Sequence, residues 1–224
     1  MMAEPTRALV FDMDGTMIDS MPAHARSWEV FTRRHGIRMP VDEVLRKTTG
    51  RTGVECIRVL LGEDIDDAKA RVLIGEKEAL YREFFAADFR EVPGFRDFAQ
   101  LAKRRGLKLA VATAGDKDNI AFALERLKLH DRPDAIVGGD EGIAGKPQPD
   151  LFLEAARRVQ VPPAQCIVFE DAPFGIEAAR RAGMRAVGIC STHDASDLAG
   201  AHVLTHVPDF RELIRSNFLE TLHA

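Results

Sequence analysis

No stretch of this chain comes near the ~18–20 consecutive apolar residues that a membrane-spanning helix needs. Cysteine is scarce: Cys56, Cys166 and Cys190 are scattered, odd in number and not in metal-ligand spacing. That excludes a disulfide framework and a cysteine-ligated zinc site, and it points to small buried thiols in a reducing cytoplasm. No excess of positive charge exists either. The formal net charge is −4 over 224 residues, which argues against a nucleic-acid-binding surface. The first apolar run begins within a few residues of Met1, leaving no room for the apolar segment of a signal peptide. Repeats and low-complexity segments are absent as well. Tryptophan and tyrosine occur once each. What is left is the composition of an ordinary globular protein, large enough for one domain with a sizeable insertion.

Within that composition one segment stands out. Asp12-Met13-Asp14-Gly15-Thr16 follows directly on Ala8-Leu9-Val10-Phe11. A short apolar, β-favouring run of this kind reads as a strand buried on both faces. Two carboxylates leaving its carboxyl end, with Gly15 turning the chain, bring a nucleophile, a metal ligand and a proton-transfer group to one place. Open α/β sheets bind their ligands just outside the carboxyl ends of their strands. An EF-hand loop also begins Asp-x-Asp, but its sixth and twelfth places would fall on Met17 and Ala23 instead of Gly and Glu. A simple Asx turn explains one Asp and the Gly but not the second carboxylate.

Strand-like runs recur at 8–11, 107–112, 135–137, 166–169, 186–189 and 202–205. Between them, 95–105, 120–129, 151–159 and 176–182 carry apolar residues at helical spacing, with Gly106 and Gly183 as stops. Alternation of this kind predicts a doubly wound parallel α/β sheet. The interval 20–91 breaks it. Its periodic segments, 23–35, 41–47, 54–61 and 67–85, are all helical, too much for one crossover connection. It therefore predicts a small helical domain inserted after the first strand, with the chain returning at Val92-Pro93-Gly94.

Three further strand ends carry polar groups suited to a phosphate. Thr113, followed by Ala114-Gly115, offers a hydroxyl and open backbone N–H groups. Gly145-Lys146-Pro147-Gln148-Pro149-Asp150 presents a lysine on a proline-stiffened loop. It is not a P-loop, because Asp140 stands where the first glycine is required and no Ser or Thr follows Lys146. Glu170 and Asp171 leave the run 166–169 as a charged pair that needs a partner or a metal, with Asp171 also a candidate helix N-cap. Together with Asp12 and Asp14 they form an oxygen-rich set suited to Mg²⁺ and phosphoryl transfer.

These motifs (D-M-D-G-T, the strand-end Thr113, G-K-P-x-P-D and F-E-D-A-x-x-G-I) closely resemble those of the haloacid dehalogenase superfamily, in its branch with a helical cap. Within that branch the chain resembles β-phosphoglucomutase and the related sugar-phosphate phosphatases over essentially its whole length. The resemblance implies a Rossmann-like core at 1–19 and 92–224 and a cap at 20–91. It implies Asp12 as nucleophile, forming an aspartyl-phosphate, and Asp14 as general acid and then general base. Thr113 and Lys146 would bind the transferring phosphoryl group. Mg²⁺ would be held by Asp12, Asp14 through its backbone carbonyl, and Asp171, with Glu170 in support. His24 and Trp28, one helical turn apart, match the first cap helix, and Thr49-Gly50-Arg51-Thr52-Gly53 resembles the substrate-specificity loop. Gly50, Arg51 and Thr52, with Ala114 and Gly115, are therefore expected to face the substrate.

The mutase pattern is broken at several places. Thr49 and Gly53 stand where mutases carry Lys and Arg, while Gly115 and Asp116 stand where they carry Ser and Lys. A mutase must grip a second phosphate, which added acids oppose. The expectation is accordingly a Mg²⁺-dependent phosphatase of small phosphorylated sugars, cytoplasmic and monomeric, binding neither nucleic acid nor membrane. A phosphosugar mutase is the alternative. A non-catalytic phosphate-binding module would not need the complete set Asp12, Asp14, Lys146 and Asp171.

Overall fold

The strand β1 (Ala8–Phe11) is fully buried and sits at the middle of the sheet, which makes its carboxyl end the meeting point of the fold. In this computed structural model, which describes residues 5–222, it is flanked by β2 (Lys108–Ala112) and β4 (Cys166–Glu170). Outside these lie β3 (Ala135–Val137), β5 (Arg185–Ile189) and β6 (Val203–Val207), giving the order β3-β2-β1-β4-β5-β6 with every neighbour parallel. The chain first builds outward from β1 to β3, then crosses back and builds outward from β4. That reversal is a topological switch point, where a crevice opens at the strands' carboxyl ends.

Because successive side chains alternate between faces, each strand feeds two cores. Leu9 and Phe11 enter one with Leu109, Val111, Ile167 and Phe169; Ala8 and Val10 enter the other with Ala110, Ala112 and Val168. The first core is covered by α5 (Phe95–Arg104), α6 (Lys117–Leu127), α9 (Phe210–Arg215) and α10 (Phe218–Thr221). The second is covered by α7 (Asp150–Val159) and α8 (Pro173–Arg181). Phe11 stacks on Phe169 with ring centroids 4.8 Å apart and meets Phe95 edge-on at 5.3 Å. Removing a ring from such a site typically costs ~3–5 kcal/mol, so this aromatic cluster fixes the base of the crevice firmly.

The strands lie where the sequence places them to within a residue or two. Helix starts differ more. α6 begins at Lys117 because the Asp116 carboxylate accepts from Asn119 N–H and so caps a turn that apolar spacing cannot reveal. α8 begins at Pro173, whose missing N–H suits a first turn. Its N-cap is Ala172, not Asp171, since the Asp171 carboxylate is engaged elsewhere. The helices α9 and α10 are absent from the sequence reading: at six and four residues they are too short for a period to show.

Between β1 and α5 come four helices: α1 (Met21–Arg34), α2 (Val41–Thr48), α3 (Gly53–Leu61) and α4 (Asp67–Ala87). They share their own apolar centre of Trp28, Phe31, Val44, Cys56, Ile57 and Ala70. The two chain passages into this insertion are tied together. Asp19 N–H donates to Arg90 O (3.0 Å), Val92 N–H donates to Met17 O (3.1 Å), and Ile18 bridges to Glu91. The expected core range of 1–19 and 92–224 starts and ends in residues outside those described. Among the described residues, no helix is long and apolar enough to cross a membrane.

Candidate active site

Asp12 leaves β1 with its backbone N–H still bonded to Phe169 O (3.0 Å), so its side chain emerges at the switch point. Gly15 follows with φ +82°, and a Cβ there would lie 2.2 Å from Asp171 Oδ2. Only glycine allows the first loop to lie against the Asp171 carboxylate this closely. Gly175 does the same on the other side, where a Cβ would fall 1.9 Å from Glu170 Oε1. The glycines of both motifs are thus explained by the approach of two acidic loops.

Three buried carboxylates, Asp12, Glu170 and Asp171, offer oxygens that all lie within 4.8 Å of one another. One ammonium answers them. Lys146 Nζ, itself buried, donates to Asp12 Oδ1 and to Glu170 Oε1 (2.5 Å). The other oxygen of Glu170 accepts from Asp171 N–H and Ala172 N–H at 3.0 Å each, so this side chain is fully occupied. Asp171 accepts from the Thr16 hydroxyl (3.1 Å) and the Thr192 hydroxyl. Burial, with Glu170 beside it, pushes the Asp171 carboxyl up to about 7. Burial likewise pushes Asp12 well above the usual carboxylate range, with Lys146 pulling back and Glu170 and Asp171 adding to the push. Excess buried negative charge in an all-oxygen set is what a divalent cation would balance. The residues present fit such an ion.

Asp14 is treated differently. Its Oδ1 accepts from the Ser20 hydroxyl (2.7 Å), from His24 Nε2 (3.1 Å) and from the Tyr81 hydroxyl (3.2 Å). Lys77 Nζ donates to His24 Nδ1 (2.6 Å), which leaves Nε2 to donate to Asp14. Burial alone would raise the Asp14 carboxyl; the imidazole of His24 and the Ser20 hydroxyl more than reverse this and bring it to about 2. Oδ1 is saturated with donors, and among the described residues no donor takes Oδ2.

Thr113 is buried at the end of β2, its Oγ1 accepting from Gly115 N–H (3.0 Å), and Ala114 and Gly115 continue the cavity wall. Thus the five strand-end residues with Asp14 surround one crevice, as do His24 and the insertion loop. In that loop Gly50 O accepts from Lys146 N–H (3.1 Å), Thr52 is held by Glu55 in a capping box, and Arg51 stands over the Phe174 ring at 6.0 Å. Trp28 touches the cavity but is 3% exposed; it packs edge-on against Phe31 with Lys77 over its face. The cavity between insertion and sheet has a volume of about 540 Å³.

Several residues here went unread in the sequence. Lys77 carries a signal in hindsight: it interrupts the apolar stripe Leu73, Leu80, Tyr81 of α4, and a charge on a buried stripe needs a reason. Glu78, which accepts from Asn119 Nδ2 (2.7 Å) and so joins α4 to α6, carries none. Ser191 and Thr192, bonded to Gly15 O (2.5 Å) and to Asp171, lie just past the carboxyl end of β5, where the strand-end rule points.

Residues 6–183 match the family model of the haloacid dehalogenase-like hydrolases. The chain is 36% identical over 202 residues to validoxylamine A 7'-phosphate phosphatase of Streptomyces hygroscopicus subsp. limoneus, covering 88% of this chain and 92% of that protein. It is 32% identical to the fructose-1-phosphate phosphatase YqaB of Escherichia coli, covering 84% and 98% of the two chains. A hydrolase from Pseudomonas syringae superposes with a TM-score of 0.83 at 28% identity, over 98% of this chain and 100% of that one.

Proposed function

Because this chain belongs to the haloacid dehalogenase-like hydrolases, we propose that it is a Mg²⁺-dependent phosphatase of phosphorylated sugars acting through an aspartyl-phosphate at Asp12. The observation that carries this reading is the asymmetry between two aspartates two residues apart. Asp12 faces a lysine and two further carboxylates, whereas Asp14 faces three hydrogen-bond donors and is kept apart from that cluster. Two carboxyl groups in such different settings suit two different tasks.

Asp12 Oδ2 attacks phosphorus while Lys146 neutralises charge on the nucleophile's other oxygen and, with the Thr113 hydroxyl, receives the phosphoryl oxygens. Asp14, through Oδ2, gives a proton to the leaving alkoxide; an incoming phosphate dianion raises its carboxyl from the low value of the free site. Left as the carboxylate, Asp14 then takes a proton from the water that attacks the aspartyl-phosphate, regenerating Asp12 and releasing inorganic phosphate. Mg²⁺ would be held by Asp12, Asp171 and the Asp14 backbone carbonyl, with Glu170 supporting through Lys146. When bound it offsets the repulsion between an anionic nucleophile and an anionic phosphate. Residues 20–91 form the cap, with hinges at 19–20 and 92–94, and its closure keeps bulk water from the phosphoryl group. The named activities of the two phosphatase relatives support the substrate class, and the free thiols Cys56, Cys166 and Cys190 suit a cytoplasmic setting.

The first test is phosphate release from p-nitrophenyl phosphate. Activity should appear with added Mg²⁺ and vanish after treatment with EDTA, returning when the metal is restored. Full activity in the chelated protein would contradict the metal assignment, and no release under any condition would contradict the phosphatase reading.

Transfer to a sugar, as in a mutase, is the second reading, and the cavity disfavours it. Acids outnumber lysines and arginines among its lining residues. Asp116, where a mutase carries lysine, is spent capping α6 and stands 4.0 Å from Arg82. Given β-glucose 1-phosphate, Mg²⁺ and a trace of the 1,6-bisphosphate, the protein should release inorganic phosphate faster than it forms glucose 6-phosphate. The reverse ratio would make it a mutase.

A further inference from the structure

The loop after β5 touches both acidic loops of the site, yet none of its groups takes part in the steps above. β5 pairs with β4 in the register Glu170↔Gly188, so the chain leaving β5 emerges beside the chain leaving β4. Cys190 N–H donates to Val207 O (2.8 Å), and Leu198 is buried in the second core, which fixes the loop at both ends. Between these anchors three consecutive side chains grip the acidic loops. Ser191 Oγ donates to Gly15 O (2.5 Å). The Thr192 hydroxyl has one proton and two acceptors within reach, Asp171 Oδ2 and Asp171 O. The carboxylate is nearer and, being charged, is the stronger acceptor. His193 Nδ1 lies 2.9 Å from Asp171 O and 3.0 Å from Thr192 Oγ1, so a proton on that nitrogen satisfies the carbonyl.

The two oxygens of Asp171 are left in unlike positions. Oδ2 takes the Thr192 proton and lies against Gly15, where a Cβ would fall 2.2 Å from it. Oδ1 takes the Thr16 hydroxyl at 3.1 Å and, among the described residues, no other donor. One oxygen is enclosed and the other is open to a cation. A carboxylate held in this way can give a metal one oxygen but cannot swing to give it both.

That restriction separates two common divalent cations. Mg²⁺ demands near-ideal octahedral geometry at ~2.0–2.1 Å, whereas Ca²⁺ takes roughly six to eight oxygens at ~2.3–2.6 Å and accepts both oxygens of one carboxylate.

We propose that Thr192, supported by Ser191 and His193, is a positioning residue that holds Asp171 to a single metal-facing oxygen and so makes the site selective for Mg²⁺ over Ca²⁺. The inference rests on the metal assignment in the phosphatase reading and adds the device that selects the ion.

The test is calorimetric titration of wild type, Thr192→Val and Thr192→Ser with Mg²⁺ alone and with Ca²⁺ alone, beside melting curves of the metal-free proteins. Loss of a partner that orients a metal ligand typically costs ~10–100-fold in affinity, so Thr192→Val should bind Mg²⁺ at least ~10-fold more weakly. Ca²⁺ should change by less than ~3-fold, because the released carboxylate can offer it a second oxygen. Thr192→Ser keeps the hydroxyl and should restore wild-type affinity for both ions. Thr192→Ala removes the hydroxyl without setting a methyl against the carboxylate; it should show the same split and serves if the valine variant does not fold. Unchanged Mg²⁺ affinity, or equal losses for the two ions, would overturn the selecting role, and a lowered Tm with the Mg²⁺/Ca²⁺ ratio intact would make Thr192 a structural support only. If wild type binds no Mg²⁺, the metal assignment falls and the inference with it. If it binds Mg²⁺ but releases no phosphate from p-nitrophenyl phosphate, only the phosphatase reading falls.

Discussion

Asp12→Asn should lower kcat by at least ~10³-fold on every phosphate ester while leaving the fold intact, because it removes the nucleophile. The amide keeps the size of the side chain, and Lys146 retains its bond to Glu170. Stability should not fall. Three buried carboxylates share one ammonium here, so removing one charge relieves repulsion as well as breaking an ion pair. The expected pattern is therefore an inactive protein with an unchanged or higher Tm. A variant keeping more than about a tenth of the wild-type rate would remove Asp12 from the nucleophile's role. A variant that is inactive and also melts much earlier would show that the ion pair is a structural support.

Asp14→Asn is expected to lose ~10²–10⁴ in rate, the usual worth of a positioned acid and base. Its three donors on Oδ1 can still bond an amide oxygen, so the local structure should survive. The loss should depend on the leaving group. A nitrophenolate leaves without a proton, whereas a sugar alkoxide needs one, so formation of the phosphoenzyme should suffer less with p-nitrophenyl phosphate than with a hexose phosphate. Hydrolysis of the phosphoenzyme, which needs the base, should slow equally for both. Pre-steady-state rates separate the two steps, and equal losses in the first step would contradict the general-acid assignment. In the free protein Asp14 stands at about 2, so the acid role depends on the bound phosphate raising it.

The parallel sheet was legible because its strands are buried on both faces and so read as unbroken apolar runs between turn signals. The core of the site was legible for a related reason. Asp12, Thr113, Lys146 and Asp171 each follow an apolar strand or the loop beyond one, and the parallel topology gathers strand ends automatically. The second layer has no such rule. Lys77 is 53 residues from His24, and Asn119 is 41 residues from Glu78. Their pairing depends on how the helical insertion sits on the sheet, which no local period encodes. The start of α8 illustrates the same limit at short range. Asp171 has the chemistry of an N-cap, but it is drawn into the acidic cluster, and Pro173 sets the helix start instead.

Covalent phosphorylation at Asp12 is the centre of the proposed mechanism and can be tested directly. Asp14→Asn, slowed in hydrolysis, is mixed with p-nitrophenyl phosphate and Mg²⁺ for one turnover, quenched, and reduced with borohydride. Reduction converts an acyl phosphate on aspartate to homoserine, which peptide mass spectrometry locates. Homoserine at position 12, in proportion to the nitrophenol released, is the predicted result. Stoichiometric nitrophenol release with an unmodified Asp12, or homoserine at any other aspartate, would contradict it.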